Sequence, residues 1–202
     1  MSSTELQDLN NVAQDKYNQK KAQADIYGIT TSTFYDTLTK VDSSKLFVTN
    51  TTYTVYTPNG TAVPVLKRGE LLTATQKQEI NNHVSTYYPN ATKLREPTTN
   101  YNCHSYAWYS QSSSNIYWMD NPNAYMTDGS YSYTSNPVAN NKVWYNSGGH
   151  SGIIYSRASG PIGPNAYGTI TETSKWGAWG LYRHGAMYCP YYSSGLSLSF
   201  YS

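Results

Sequence analysis

Only two cysteines and four histidines occur in this 202-residue chain, the residue types best suited to a nucleophile-and-base pair near neutral pH. One of each stands in Tyr101-Asn102-Cys103-His104-Ser105-Tyr106-Ala107-Trp108. The polar approach Arg95-Glu96-Pro97-Thr98-Thr99-Asn100 comes before this stretch, and apolar and aromatic residues follow Cys103. That pattern predicts a buried helix, from Cys103 to about Ser110, with the cysteine in its first turn. A thiol there gains from the positive end of the helix dipole, which favours the thiolate.

A nucleophilic thiol needs a base in hydrogen-bond reach and a third group to orient that base. His150 is the best placed of the histidines. It opens the segment His150–Ser156 after Asn146-Ser147-Gly148-Gly149, a tight turn that follows the strand Lys142–Tyr145. A side chain at that rim reaches toward a helix N-terminus. His104 is about 100° round the helix from Cys103 and is a poor in-line base. His83 reads as a surface or packing residue, and His184 and Cys189 as structural. The next strand, Thr169–Lys175, alternates so that Glu172 and Ser174 share a face with Ile170, pointing inward. Either can orient the imidazole: Glu172 as a carboxylate, Ser174 by fixing tautomer and angle.

The positioning elements follow from the pattern. Residues 4–27 have helical spacing (Leu6, Leu9, Val12, Ala13, Tyr17, Ala24), and a second short helix is possible over 32–38. Lys45–Tyr56 and Ala62–Leu66 flank Thr57-Pro58-Asn59-Gly60 and read as a hairpin. Thr75–Tyr87 is a helix with a capping-box pattern at Thr75 and Gln78, stopped by Pro89. Ser112–Ser135 mixes turn formers with aromatics and reads as a long surface loop. Leu181–His184 resumes as a strand after the corner Trp176-Gly177-Ala178-Trp179-Gly180. Tyr188–Tyr201 is short β or irregular structure. The expected fold class is α+β in two regions: 1–90, a helix, hairpin and helix extension packed on the core, and 91–202, the core.

Composition narrows the partners. Charged residues are 13% of the chain, against ~25% in an average soluble domain. A net charge of +2 without a basic run gives no reason to expect nucleic acid. No segment has the ~18 apolar residues of a membrane span. The 22 tyrosines, with much Ser, Thr and Asn, suit an extracellular setting, and tyrosine also stacks on sugar rings or fills sheets. The first residues lack the basic and apolar regions of a signal peptide, so a secreted or cell-surface location implies a signal already removed. A monomer without a cofactor is expected. A Cys103–Cys189 disulfide would instead suit a non-catalytic carbohydrate- or surface-binding module. A zinc site from Cys103, His104, His150 and Cys189 lacks ligand spacing, so no metal is expected. A serine triad lacks its Gly-x-Ser-x-Gly elbow.

Three pieces together resemble a known group: Asn102–Trp108; Lys142-Val143-Trp144-Tyr145 leading into Gly149-His150-Ser151-Gly152-Ile153-Ile154-Tyr155; and Gly168–Gly177, a strand ending in Trp176 and a glycine. They resemble the papain-like cysteine hydrolases of bacterial cell-wall turnover, the NlpC-like and CHAP families, over roughly residues 95–185. The resemblance implies a Cys-bearing helix packed on an antiparallel sheet. It also implies a Cys103–His150 thiolate–imidazolium pair, a thioacyl intermediate, and cleavage of an amide, most plausibly in peptidoglycan stem peptides. The Cys103 backbone N–H and a group such as Asn102 or Tyr101 would hold the oxyanion. Trp118 and Trp176 would line the substrate groove.

Overall fold

The computed structural model describes residues 50–69, 71–147, 149–159 and 167–202. The helices expected over 4–27 and 32–38 lie outside these residues, as does Gly148 of the expected turn. The described residues, from 50 onward, all fall in one compact unit. The fold is mixed α and β, with antiparallel sheets and few helices.

The hairpin is β1 (Thr51–Tyr56) and β2 (Ala62–Lys67), with Val55 opposite Val63 and Tyr53 opposite Val65. Gly60 takes φ +86°, a conformation glycine adopts without steric cost. Val55, Val63 and Val65 enter the same core cluster as Tyr106, Trp108 and Ile153. Helix α1 (Ala74–Tyr87) buries Ile80 and Val84. Its capping box is Thr73 with Gln76, not Thr75 with Gln78. The Thr73 hydroxyl accepts from the Gln76 N–H, and the Gln76 side chain accepts from the Thr73 N–H.

A six-stranded antiparallel sheet organises the rest. Its strands are β3 (Thr92–Arg95), β4 (Lys142–Tyr145), β5 (His150–Arg157), β6 (Ile170–Lys175), β7 (Leu181–Gly185) and β8 (Leu198–Tyr201), in the order β3-β7-β6-β5-β4-β8. β4 to β7 form a meander, closed at one edge by β3 and at the other by β8. Register and alternation divide the side chains into two faces. One face carries Trp144, Ser151, Ile153, Thr173, Lys175 and Leu181; the other carries Tyr145, His150, Gly152, Glu172, Ser174, Tyr182 and His184. Both faces of β6 are covered, since Glu172, Thr173, Ser174 and Lys175 are all buried.

The loop expected over Ser112–Ser135 is tied down by its aromatics. Tyr125, in the short helix α2 (Asn123–Thr127), and Met119 are fully buried, and Trp118 pairs with Leu66 through the backbone. Burying a side chain of that size contributes about 1.5–3 kcal/mol, which offsets the ordering of an otherwise irregular segment.

Candidate active site

Asn102 starts the central helix. Its side-chain oxygen accepts from the N–H groups of Ser105 and Met119, and its amide donates to the Met119 carbonyl. It is therefore both a helix cap and a tie to the following loop. The helix begins at Cys103 as expected, but Ser105–Tyr109 is wound as a π-helix, with Ser110 N–H bonding to Ser105 O at 2.9 Å. Its inner side rests on the Ser151 face of the sheet. His104 Nδ1 lies 2.9 Å from Ser151 Oγ, and Trp108 Nε1 donates to the same oxygen at 2.9 Å.

Cys103 is buried, with the backbone N–H groups of Ser151, His104 and Cys103 itself favouring the thiolate at its sulfur. The sheet explains why the Ser151 donor is available. Ile154 exchanges backbone hydrogen bonds with Asn140 and Asn141 on the β4 side, so by alternation Ser151 directs its N–H toward β6. The paired residues of β5 and β6 begin only at Ile153 and Thr173. Burial pushes the thiol up to about 11, against the smaller opposing effects of the Ser151 N–H and the Lys175 charge.

His150 occupies the other face. Its ring is fully buried, stacked on Tyr191 at 4.1 Å with an interplanar angle of 4°, and met edge-on by Tyr145 at 4.8 Å. Burial holds its pKa well below the ordinary histidine value. Nε2 lies 3.0 Å from Ser174 Oγ, while Nδ1 is buried without a hydrogen-bond partner. Cys103 and His150 therefore share no hydrogen bond in this conformation. Burial favours a neutral thiol and a neutral imidazole over the ion pair that the resemblance implies.

The two expected orienting residues both come to His150, Ser174 by hydrogen bond and Glu172 with Oε1 at 3.8 Å from Nε2. They bring a third group that the sequence reading set aside. His184 lies opposite Glu172 on β7, with Nε2 2.7 Å from Ser174 Oγ and 3.4 Å from Glu172 Oε1. The protons of this network can be counted. The Gly185 carbonyl, 2.8 Å from His184 Nδ1, can only accept, so His184 carries its hydrogen on Nδ1 and a lone pair on Nε2. Burial lowers His184 to about 4, which keeps it neutral. Ser174 Oγ lies between His184 Nε2 and His150 Nε2, and Trp176 Nε1–H points at the same Oγ and at His184 Nε2. When Ser174 gives its hydrogen to His184, it accepts from His150 Nε2–H and the lone pair of His150 falls on Nδ1; the opposite tautomer strands a buried N–H there.

Glu172 is buried and pushed up to about 8 by desolvation. The Tyr145 hydroxyl lies 2.7 Å from the Ala186 carbonyl and 3.0 Å from Glu172 Oε1. The Tyr145 O–H thus has two acceptors, and its donation to Glu172 opposes part of the desolvation. Cys189 Sγ donates to the same hydroxyl at 3.5 Å. Cys103 and Cys189 are both free thiols, so the disulfide expected for a binding module is not present.

The other candidates have different employment. The Tyr101 hydroxyl accepts from Arg95 at 3.2 Å, and its ring lies 5.3 Å from Lys175 Nζ. Asn102 uses its side-chain oxygen on the cap and on the Met119 N–H, and an amide hydrogen on the Met119 carbonyl. Trp176 is buried, its Nε1 3.2 Å from Ser174 Oγ and 3.1 Å from His184 Nε2, so it belongs to the polar network and not to an open groove. Trp118 packs under the Arg68 guanidinium at 3.9 Å. A cavity of about 280 Å³ lined by Asn81, Asn82, Val84, Ser85, Ala91, Lys93 and Tyr182 includes none of the expected site residues.

Lys175 was not singled out from the sequence. It is fully buried and donates to the carbonyls of Thr98, Gly177 and Trp179, joining the approach to the central helix to the glycine corner. Burial lowers it to about 7. Its position on a strand with both faces covered could have been noticed, but a lysine at a strand end reads as solvated. Tyr191, from an irregular segment, left no sequence signal of its place against His150. Among the described residues no helix is long and apolar enough to cross a membrane. No protein-family description, curated protein or solved structure matches this chain.

Proposed function

We propose that this protein is a cysteine hydrolase of amide bonds with a papain-like core of the NlpC-like and CHAP type, secreted or surface-bound, acting on peptidoglycan stem peptides. The observation that carries the reading is the polar chain behind His150: its Nε2 lies 3.0 Å from Ser174 Oγ, which lies 2.7 Å from His184 Nε2, while its Nδ1 has no hydrogen-bond partner. That nitrogen is the base, Ser174 orients it, and His184 sets the direction of Ser174.

Reaction requires the Cys103 sulfur, on the Ser151 side of β5, and His150 Nδ1, on the other face, to meet at the start of that strand, a rearrangement that releases the His150 ring from Tyr191. Nδ1 takes the thiol proton as sulfur attacks the carbonyl carbon, and the departing amine receives that proton. Water then enters by the same base and releases the acid. The neutral thiol and imidazole make this a concerted general-base step, without a standing ion pair. The segment bearing Tyr191 covers the base, so the substrate enters by displacing it.

The test is incubation of the full chain with purified peptidoglycan and with its isolated stem peptides, with released termini read by mass spectrometry. Wild type should generate a new carboxyl and amine, Cys103→Ala none, and Ser174→Ala a rate lower by about 10²-fold or more, the range of general-base assistance. Full activity in Cys103→Ala would end the reading.

A further inference from the structure

Three side chains on the inner face present ligand atoms to one another: His150 from β5, Glu172 from β6 and His184 from β7, all within 4.8 Å. Glu172 Oε1 is 3.4 Å from His184 Nε2 and 3.8 Å from His150 Nε2. Two donors at ~2.05 Å on a tetrahedral ion stand about 3.3 Å apart, so the first separation already fits, the second needs a shift of about half an ångström, and the two imidazoles, the widest pair within the 4.8 Å, must close by up to about 1.5 Å. We propose that His150, Glu172 and His184 form a binding site for a divalent ion of the zinc class.

Three independent features support it. His184 is set up as a ligand, because its Nδ1–H is held by the Gly185 carbonyl, the usual outer support of a metal-bound histidine, and its Nε2 lone pair faces the cluster, where an ion would displace the hydrogen bonds from Ser174 and Trp176. The cluster also contains a buried carboxyl oxygen that the fold leaves without a hydrogen bond, Glu172 Oε2, a second oxygen for the ion. Such an atom calls for a ligand or a chemical task. Finally, a Cβ at position 152 would fall 2.9 Å from the Glu172 carboxyl carbon, so the carboxylate reaches the cluster only because that strand residue is glycine. Ser174 Oγ, 3.0 Å and 2.7 Å from the two imidazole nitrogens, is the candidate fourth donor, and two imidazoles with one carboxylate suit zinc.

The consequence for activity rests on the proposed hydrolase. An ion on His150 Nε2 moves that ring's hydrogen to Nδ1 and removes the base, so the metal acts as an off switch. Binding itself does not depend on that reading.

The experiment titrates the EDTA-treated, desalted full chain with cobalt(II), then with zinc as competitor. The expected result is a visible d–d absorption of four-coordinate intensity that saturates at one equivalent and is displaced by zinc. Glu172→Gln should weaken it at least about tenfold, and Cys103→Ala should leave it unchanged. Glu172→Gln replaces a neutral acid by a neutral amide of the same shape, and circular dichroism reports whether it folds. Zinc added to wild type should shift the ring-nitrogen NMR signals of two of the four histidines, a readout that needs no variant. Absence of a saturating band, a sulfur-to-cobalt charge-transfer band in the near ultraviolet, or wild-type affinity in a folded Glu172→Gln protein each overturns the site. Loss of amide cleavage in Cys103→Ala with its cobalt band intact would uphold both readings. An intact band without any cleavage by wild type, zinc-free protein would leave the metal site standing and end the hydrolase.

Discussion

Gly152→Ala tests the inner face with one carbon atom. The new Cβ would lie 2.9 Å from the Glu172 carboxyl carbon and Oε1, and 3.1 Å from Oε2. Glu172 is fully buried and held by Tyr145, so it cannot simply swing into solvent. Overpacking of this kind costs about 1–3 kcal/mol. Replacing a strand glycine by alanine returns about 0.5–1 kcal/mol of backbone entropy. The expected net loss is therefore about 1–2 kcal/mol, or roughly 2–8 °C in Tm for a unit of this size. Trimming the opposing group should cancel the clash, so in a Glu172→Ala background the same substitution should be neutral or stabilising by up to about 1 kcal/mol. The coupling in this double-mutant cycle should be about 2 kcal/mol. Urea unfolding followed by tryptophan fluorescence measures all four proteins. An equal cost of Gly152→Ala in both backgrounds would refute the placement of Glu172 over Gly152, and with it the geometry of the buried cluster.

Lys175 should give the stability a rise with alkaline pH. Its pKa is about 7 in the fold and 10.5 when free, so between those values the unfolded chain holds a proton that the native state lacks. Stability contributed this way is absent below pH 7, grows through the window by up to ~1.4 kcal/mol per pH unit, and should vanish from that window in Lys175→Met, as read by urea midpoints. Iodoacetamide at pH 7.5 should label native Cys103 and Cys189 slowly, because burial pushes them up to about 11 and about 12. Both should label fully in denaturant without reductant, and protection of the two there would reveal a disulfide. Asn102→Ala removes a helix cap and leaves the Met119 backbone groups unanswered, so a loss of about 1–3 kcal/mol is expected in thermal melts. A change within 0.5 kcal/mol would contradict its capping role. Thr73→Ala removes only an exposed capping box and should cost about 0.5–2 kcal/mol.

Local sequence was enough to mark the elements. The hairpin turn at Thr57–Gly60, the helix ended near Tyr87, and the strands Lys142–Tyr145 and His150–Arg157 all rest on short-range periodicity and turn residues. The capping box was displaced by two residues because Thr-x-x-Gln occurs twice in the run Thr73-Ala74-Thr75-Gln76-Lys77-Gln78, and only the Thr73 pair closes its hydrogen bonds. The π-helical winding at Ser105–Tyr109 has no counterpart in apolar spacing.

What the sequence alone determined is the nomination of Cys103 and His150, and the placement of Glu172 and Ser174 on one face of a strand. Parity along a single strand is a local property, so it needs no fold. Tertiary structure decided what those groups meet. Strand register sets His184 opposite Glu172, the fold brings the Ser151 N–H to the Cys103 sulfur, and an irregular segment lays Tyr191 on His150. Burial then inverts the expected charges, holding the thiol and Glu172 protonated and His150 neutral. These outcomes depend on which strands are neighbours and how much water is excluded between them. Neither quantity is encoded within the few residues around any one of these side chains.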